Sequence, residues 1–174
     1  FLSGYSSVTG SFSKPDISLK SNVLGLVNIL EIIKNYKFKI KLFNAGSGQF
    51  FVVNKNNFYN LNSKLAPQSP YGVSKAASYW LTKIYRENYG IYCCTGILFN
   101  HESSLRSKEF VTKKIIDVSK QILINKKLKL ELGNINIYRD WGWAPEYVEA
   151  IWLMLQQKKP RDLIIGSGKI FSLK

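Results

Sequence analysis

Histidine occurs once in the 174 residues, as His101, methionine once, as Met154, and cysteine only as the adjacent pair Cys93-Cys94. One imidazole and two neighbouring thiols in an apolar run provide no spaced ligand set for a metal, and a disulfide between them is geometrically unfavourable. The pair reads instead as small core residues of a reducing compartment. Arginine is sparse too: Arg86, Arg106, Arg139 and Arg161 are the only ones among 25 Lys and Arg, set against 11 Asp and Glu for a net charge of +14. Lysine is spread from Lys14 to Lys174, with small groups such as Lys37-Phe38-Lys39 and Asn125-Lys126-Lys127 at expected element ends. That diffuse field lacks the arginine-led, groove-entering element of a nucleic-acid reader and suits an anionic small molecule. No apolar run reaches membrane-spanning length, and the residues after Phe1 lack the order of a signal peptide. A cytoplasmic protein with no nucleic-acid or membrane partner is expected. Phe1 is not an initiator, so the chain is expected to be processed or a fragment.

What the sequence does contain is Ser69-Pro70-Tyr71-Gly72-Val73-Ser74-Lys75. Serine followed by proline predicts an N-cap and a first helical position, and residues four apart on a helix share a face. Tyr71 and Lys75 are therefore expected to meet near a helix start. A free phenol titrates near ~10, but a close cation stabilises the phenolate and draws that value down. Such a tyrosine can exchange a proton with a substrate hydroxyl, and the lysine keeps donors for a ribose.

Around this stretch, helical and strand patterns alternate without repeats. Asp16 is expected to cap a helix with Leu19, Val23, Leu26, Val27, Leu30 and Ile33 at a period of 3.6. Phe38 to Ala45 reads as a strand, and Val53 to Ala66 as a loop. The Tyr71 helix has Val73, Ala76, Ala77, Trp80, Leu81 and Ile84 as its apolar side. Ile91 to Phe99 is a strand covered on both faces. Glu109–Ile124 and Pro145–Gln156 are expected helices, Lys127–Leu132 an outer strand and Asp162–Ile165 a short one. This order predicts an α/β doubly wound parallel sheet, whose ligands sit at the carboxyl ends of the strands. Ser47, the Tyr71 helix and Asn100-His101 all belong to that end, so they are expected to converge.

A serine after a strand, followed by Tyr-x-x-x-Lys, resembles the short-chain dehydrogenase/reductase superfamily. Ser69-Pro70-Tyr71-Gly72, Gly96-Ile97-Leu98-Phe99-Asn100-His101-Glu102-Ser103, Phe110-Val111-Thr112-Lys113-Lys114-Ile115, Leu132-Gly133-Asn134, Arg139-Asp140-Trp141-Gly142 and Tyr147-Val148-Glu149-Ala150 are similar to the GDP-mannose 4,6-dehydratase family in order and spacing. The resemblance implies a Rossmann-like NAD(P)-binding domain over residues 1–174, interleaved with parts of a smaller substrate-binding domain at about 100–140 and 166–174. It implies NADP-dependent conversion of GDP-mannose to a 4-keto-6-deoxy sugar nucleotide by a homo-oligomer, dimer or tetramer. On the same basis Ser47, Gln49, Tyr71 and Lys75 stand at catalytic positions. Leu2, Ser3, Gly4, Tyr5, Ser6, Ile17, Lys75, His101 and Arg106 stand at cofactor positions, and Ser47, Tyr71, Asn100, Lys113 and Arg139 at substrate positions.

Departures from the family pattern are visible as well. Gln49 stands where the family has the glutamate that removes the C5 proton, and an amide has no basic form near neutrality. Tyr5, Ser7 and Ile17 replace the family's usual glutamine, histidine and tyrosine. No Gly-x-x-Gly-x-x-Gly segment is present to hold a pyrophosphate at a helix N-terminus, so the first strands are expected to be missing. Two alternatives stay open: a sibling nucleotide-sugar epimerase or reductase, and an inactive remnant or subunit-interaction fragment. Residue by residue, His101 has a structural alternative, Arg139 an exposed ion pair with Asp140, and the four tryptophans are expected to pack.

Overall fold

The computed structural model describes residues 1–51 and 58–174. Contacts divide the chain into two compact units, Phe1–Leu98 with Glu149–Ile165, and Phe99–Val148 with Gly166–Lys174. The first begins with helices α1 (Gly10–Ser13) and α2 (Pro15–Leu19), a π-helical turn (Lys20–Leu24) and α3 (Gly25–Tyr36). Strand β1 (Leu42–Ser47), a 3-10 turn (Gly48–Phe50), α4 (Pro70–Tyr89) and β2 (Cys93–Leu98) follow. The second unit holds β3 (Asn100–Glu102), α5 (Val111–Ile124), β4 (Tyr138–Trp143) and the first turn of α6 (Ala144–Gln156). The rest of α6 and β5 (Leu163–Ile165) belong to the first unit, and β6 (Ile170–Ser172) to the second.

In the first unit β1, β2 and β5 form a parallel sheet in the order β1-β2-β5, with Leu42 opposite Cys93 and Ser47 opposite Leu98. Every residue of β1 and β2 is buried, as the near-continuous apolar run of β2 requires of a strand covered on both faces. Leu26, Leu30 and Ile33 of α3 pack on Leu42, Ile91 and Cys93. Burial keeps both thiols protonated, pushing Cys93 up to about 12 and Cys94 to about 11. They are inert core groups. Along the outer edge of β1, Phe1 donates to the Phe43 carbonyl and accepts from the Ala45 N–H at 3.2 Å, the bonding pattern of a parallel neighbour.

Helix α4 buries the side opposite to the one its apolar residues suggest. Tyr71, Gly72, Ser74, Lys75, Ser78 and Thr82 face inward, while Val73, Trp80 and Ile84 are each nearly half exposed. The inward side packs closely on α2, the π-turn, β1 and β2, where small side chains fit and their hydroxyls find partners. Ser18 Oγ lies 3.3 Å from Ser74 Oγ, and the Ser78 hydroxyl donates to the Asn22 carbonyl at 2.8 Å. At the far end of α4, Arg86 donates to both Asp162 oxygens at 2.8 and 2.6 Å and to the Cys93 carbonyl at 3.0 Å. Asp162 also accepts from the Thr95 N–H at 2.7 Å. One ion pair thus ties α4 to β2 and to the start of β5.

Several expected boundaries shift for identifiable reasons. Pairing begins only at Leu42, opposite Cys93, so 38–41 are not strand. Pro15 takes the first helical position ahead of Asp16, which sits in the first turn beside Lys20 at 3.4 Å. The π-turn interrupts the single helix expected from Asp16 to Ile33. Of the expected loop Val53–Ala66, residues 53–57 lie outside the described residues.

In the second unit β3 pairs parallel with β4, and β4 antiparallel with β6, a reversal the all-parallel expectation did not contain. Lys127–Leu132 is not a strand. Among the described residues no neighbour pairs with it, and the Glu131 carbonyl accepts from Lys114 Nζ at 2.6 Å instead. Trp143 is half exposed here, as are Trp80 and Trp152 in the first unit, so packing does not account for them as expected.

Candidate functional site

The site in the first unit is assembled at the carboxyl end of β1. Ser47 leaves the strand in extended conformation and caps the 3-10 turn, accepting from the Gln49 N–H at 3.2 Å. Ser69 caps α4, accepting from the Gly72 N–H at 3.0 Å, with Pro70 at the first helical position as the sequence predicts. Gly72 is required there: a Cβ would come within 2.8 Å of the Gln49 carbonyl and 3.0 Å of Pro67. The turn carrying Gln49 therefore rests directly on the start of α4. Tyr71 is buried, and its N–H donates to Ser11 Oγ at 3.1 Å.

Lys75 sits one turn along with its ammonium 5.7 Å from the centre of the Tyr71 ring, and it donates to the Ala45 carbonyl at 2.9 Å. Burial lowers its pKa from 10.5 to about 8, because a charged amine is poorly solvated there. At neutral pH the group is still mostly protonated, so a cation faces the phenol ring inside the protein. Ser47, Gln49, Tyr71 and Lys75 are thus brought together. The arrangement provides a phenol, a positive charge that favours its ionised form, and a hydroxyl on the adjoining strand end.

Next to it runs the segment from Leu2 to Ser6. Gly4 has φ +150°, and a Cβ there would lie 2.3 Å from Asn22 Oδ1. Tyr5 is held by its N–H donating to Ser21 Oγ at 3.0 Å and its carbonyl accepting from Asn22 Nδ2 at 3.0 Å. Leu2, Ser3, Ser6 and Ile17 are exposed. Asn22, fully buried in the π-turn, was not among the expected site residues. It links this segment to α4, and its Oδ1 has no hydrogen-bond partner among the described residues. An asparagine inside an amphipathic helical run, where its amide competes with the backbone, was the available signal.

In the second unit His101 Nδ1–H donates to the Phe99 carbonyl at 2.9 Å, and the ring stacks on Tyr147 at 4.7 Å. Its neutral form therefore presents Nε2 as an acceptor. Asn100 lies on β3 and accepts through its carbonyl from the Tyr147 hydroxyl at 3.4 Å. Arg106 pairs with Glu102 at 3.2 Å and places its guanidinium 3.5 Å from the Phe110 ring centre. Lys113 pairs with Asp117 at 3.2 Å one turn along α5. Arg139 on β4 donates to the Tyr138 carbonyl at 2.9 Å rather than pairing with Asp140. Asp140 is occupied instead by the Ser167 N–H and hydroxyl and the Gly168 N–H, at 2.8 to 2.9 Å.

Solved structures share this fold. A UDP-N-acetylglucosamine 4-epimerase from Methanobrevibacter ruminantium superposes with a TM-score of 0.87 at 22% identity, over 99% of this chain and 55% of that one. RMD from Pseudomonas aeruginosa, complexed with NADPH, gives 0.86 at 24% identity, over 99% and 60%. The fold is that Rossmann-like α/β class. The sequence model of the family described as GDP-mannose 4,6 dehydratase matches residues 1–174, and the chain belongs to that family. GDP-mannose 4,6 dehydratase 1 of Arabidopsis thaliana is 41% identical over 99% of this chain and 49% of its own length. The GDP-mannose 4,6-dehydratase of Vibrio cholerae serotype O1 is 38% identical over 99% and 47%. The chain spans about half the length of the curated relatives it matches.

Proposed function

We propose that this chain carries the proton-transfer residues of an NADP-dependent GDP-mannose 4,6-dehydratase. The observation that carries the reading is the buried Tyr71–Lys75 couple at the end of β1, with Ser47 beside it. The residues fit the nicotinamide-ribose end of a dinucleotide. Lys75 Nζ spends one donor on Ala45, leaving others for ribose hydroxyls. Bound NADP supplies the acceptor and later donor of the C4 hydride. In this reading Tyr71 takes the C4 hydroxyl proton, Lys75 favours the phenolate and holds the ribose, and the Ser47 hydroxyl donates to the same oxygen. Leu2, Ser3, Gly4, Tyr5, Ser6 and Ile17 in the first unit, and His101 and Arg106 in the second, stand at positions the family gives to the cofactor, and Asn100 and Lys113 at positions it gives to the substrate. Arg139 grips its diphosphate, for which a planar bidentate fork is suited. The second unit is the substrate-binding part. The reading extends to a cytoplasmic homo-oligomer, for which the outward Val73, Trp80 and Ile84 of α4 offer an apolar contact face.

Gln49 favours a second reading. With an amide in the turn that Ser47 caps, C4 redox chemistry survives but the base that removes a C5 proton does not, which suits a sibling epimerase or reductase. Incubation of the protein with GDP-mannose and NADP, followed by mass spectrometry, separates these outcomes. Loss of one water from the sugar nucleotide, abolished by Tyr71→Phe, is the expected result. Exchange at C4 without water loss supports the sibling, and neither reaction overturns both.

A further inference from the structure

At the opposite end of the first unit, where the chain enters β1 and β2, lies a cleft of about 440 Å³. Buried Ile33 and Ile91 lie deepest, and Phe38 and Ile40, each about half exposed, line it further out. Lys34, Lys37, Lys39 and Lys41 stand around this apolar surface with Tyr89 and Tyr92. Two of the lysines are fixed in place. Lys34 Nζ lies 4.9 Å from the Tyr89 ring centre and 2.6 Å from Glu31, and Lys41 Nζ lies 4.8 Å from the Tyr92 ring centre, donating to the Leu155 and Gln157 carbonyls at 2.7 and 3.2 Å. Lys37 and Lys39 are exposed. Glu31 is the one carboxylate paired with any of the four lysines among the described residues.

Ordinary helix capping explains only part of this. Lysines near the end of α3 offset its negative carboxyl terminus, which accounts for Lys34 and Lys37. It does not account for Lys39 and Lys41 beyond the helix, nor for Tyr36 and Phe38, stacked at 5.6 Å and exposed at 70% and 49%. Lys37 also holds a left-handed conformation, φ 52°, at the position where α4 ends with Gly90. A lysine there is less comfortable than glycine.

We propose that this cleft docks an acidic polypeptide segment of a partner, with one apolar side chain seated between Phe38, Ile40 and Ile91 and flanking carboxylates paired with Lys37, Lys39 and Lys41. Charge complementarity selects the occupant: an apolar surface ringed by lysine ammonium groups, of which Glu31 neutralises only Lys34, attracts carboxylates and repels a basic segment. The site is separate from Tyr71, which starts α4, whereas Tyr89 ends it.

Fluorescence anisotropy on the whole chain tests this, with a labelled peptide of alternating glutamate and leucine pairs as probe. Its glutamine counterpart and a labelled oligouridylate serve as comparisons. The glutamate peptide is expected to bind with salt-sensitive affinity, and the glutamine peptide is not. Lys37→Glu combined with Lys39→Glu should weaken binding about tenfold, and Phe38→Ser about threefold, while Lys126→Glu with Lys127→Glu changes it less than about twofold. Equal losses from the two charge reversals would mean attraction to net charge alone and would overturn the proposal. So would an unchanged affinity in the Lys37/Lys39 variant, or an oligouridylate that binds more tightly through the same two lysines.

Discussion

Replacing Lys75 with methionine is expected to remove a pH dependence of stability along with the proton chemistry. Burial lowers the ammonium from 10.5 to about 8, and at 1.36 kcal/mol for each pKa unit the folded state bears about 3 kcal/mol for carrying that charge. Between those two values the unfolded chain retains the proton and the folded chain has released it. Stability from this group therefore rises as pH climbs from about 8 towards 10.5, and below about 8 the full penalty remains. The hydrogen bond to Ala45 contributes a further constant that the substitution also removes. Cys93 and Cys94, raised by burial, act in the opposite direction at alkaline pH, because the unfolded thiols ionise first. That background is common to both proteins and cancels in their difference. Urea unfolding of wild type and Lys75→Met, repeated across this range, should give a stability difference that changes by about 3 kcal/mol. A difference that stays flat, or an ammonium resonance titrating near its ordinary value, would refute the argument that Lys75 is desolvated.

Three further outcomes follow from the geometry. Arg86→Ala leaves Asp162 charged, almost buried and short of its main partner, and should cost about 3–5 kcal/mol in chemical denaturation, whereas a loss below about 1 kcal/mol would mean that solvent reaches the pair. Ser69→Ala removes the cap on α4 and should cost about 1 kcal/mol, read as a lowered urea midpoint with unchanged slope. Gln49→Glu restores a base two residues from Ser47 and should raise the yield of the dehydrated sugar nucleotide by about a hundredfold or more, and no gain would rule out this position as the limiting one.

The meeting of Tyr71 and Lys75 was legible in the sequence because its determinants are local: a serine cap, a proline at the first turn and a four-residue spacing are all satisfied within one helix. The buried strand β2 was legible for a similar reason, since its apolar run leaves no solvent face. What could not be read depends on partners distant in sequence. The start of β1 is set by where β2 begins, 51 residues on, as the pairing of Leu42 with Cys93 shows. The outer strand expected over Lys127–Leu132 needs a neighbouring strand, and Lys114 reached Glu131 instead. The pairing of Arg139 with Asp140 failed because Ser167 and Gly168 claim the carboxylate from 27 and 28 residues away. Asn22 was missed because a uniform helical period conceals a π-turn, and that turn is what brings the amide inward.

The inside-out setting of α4 gives its two faces separate jobs under mutation. Substitutions at Ser74, Ser78 or Thr82 should register as loss of fold, because each hydroxyl is matched to a particular acceptor and no larger group fits. Changes at Val73, Trp80 or Ile84 should leave the monomer standing and alter only what it adheres to. Scanned residue by residue, this helix would be intolerant at its serines and permissive at its tryptophan, the reverse of the profile an amphipathic helix ordinarily gives.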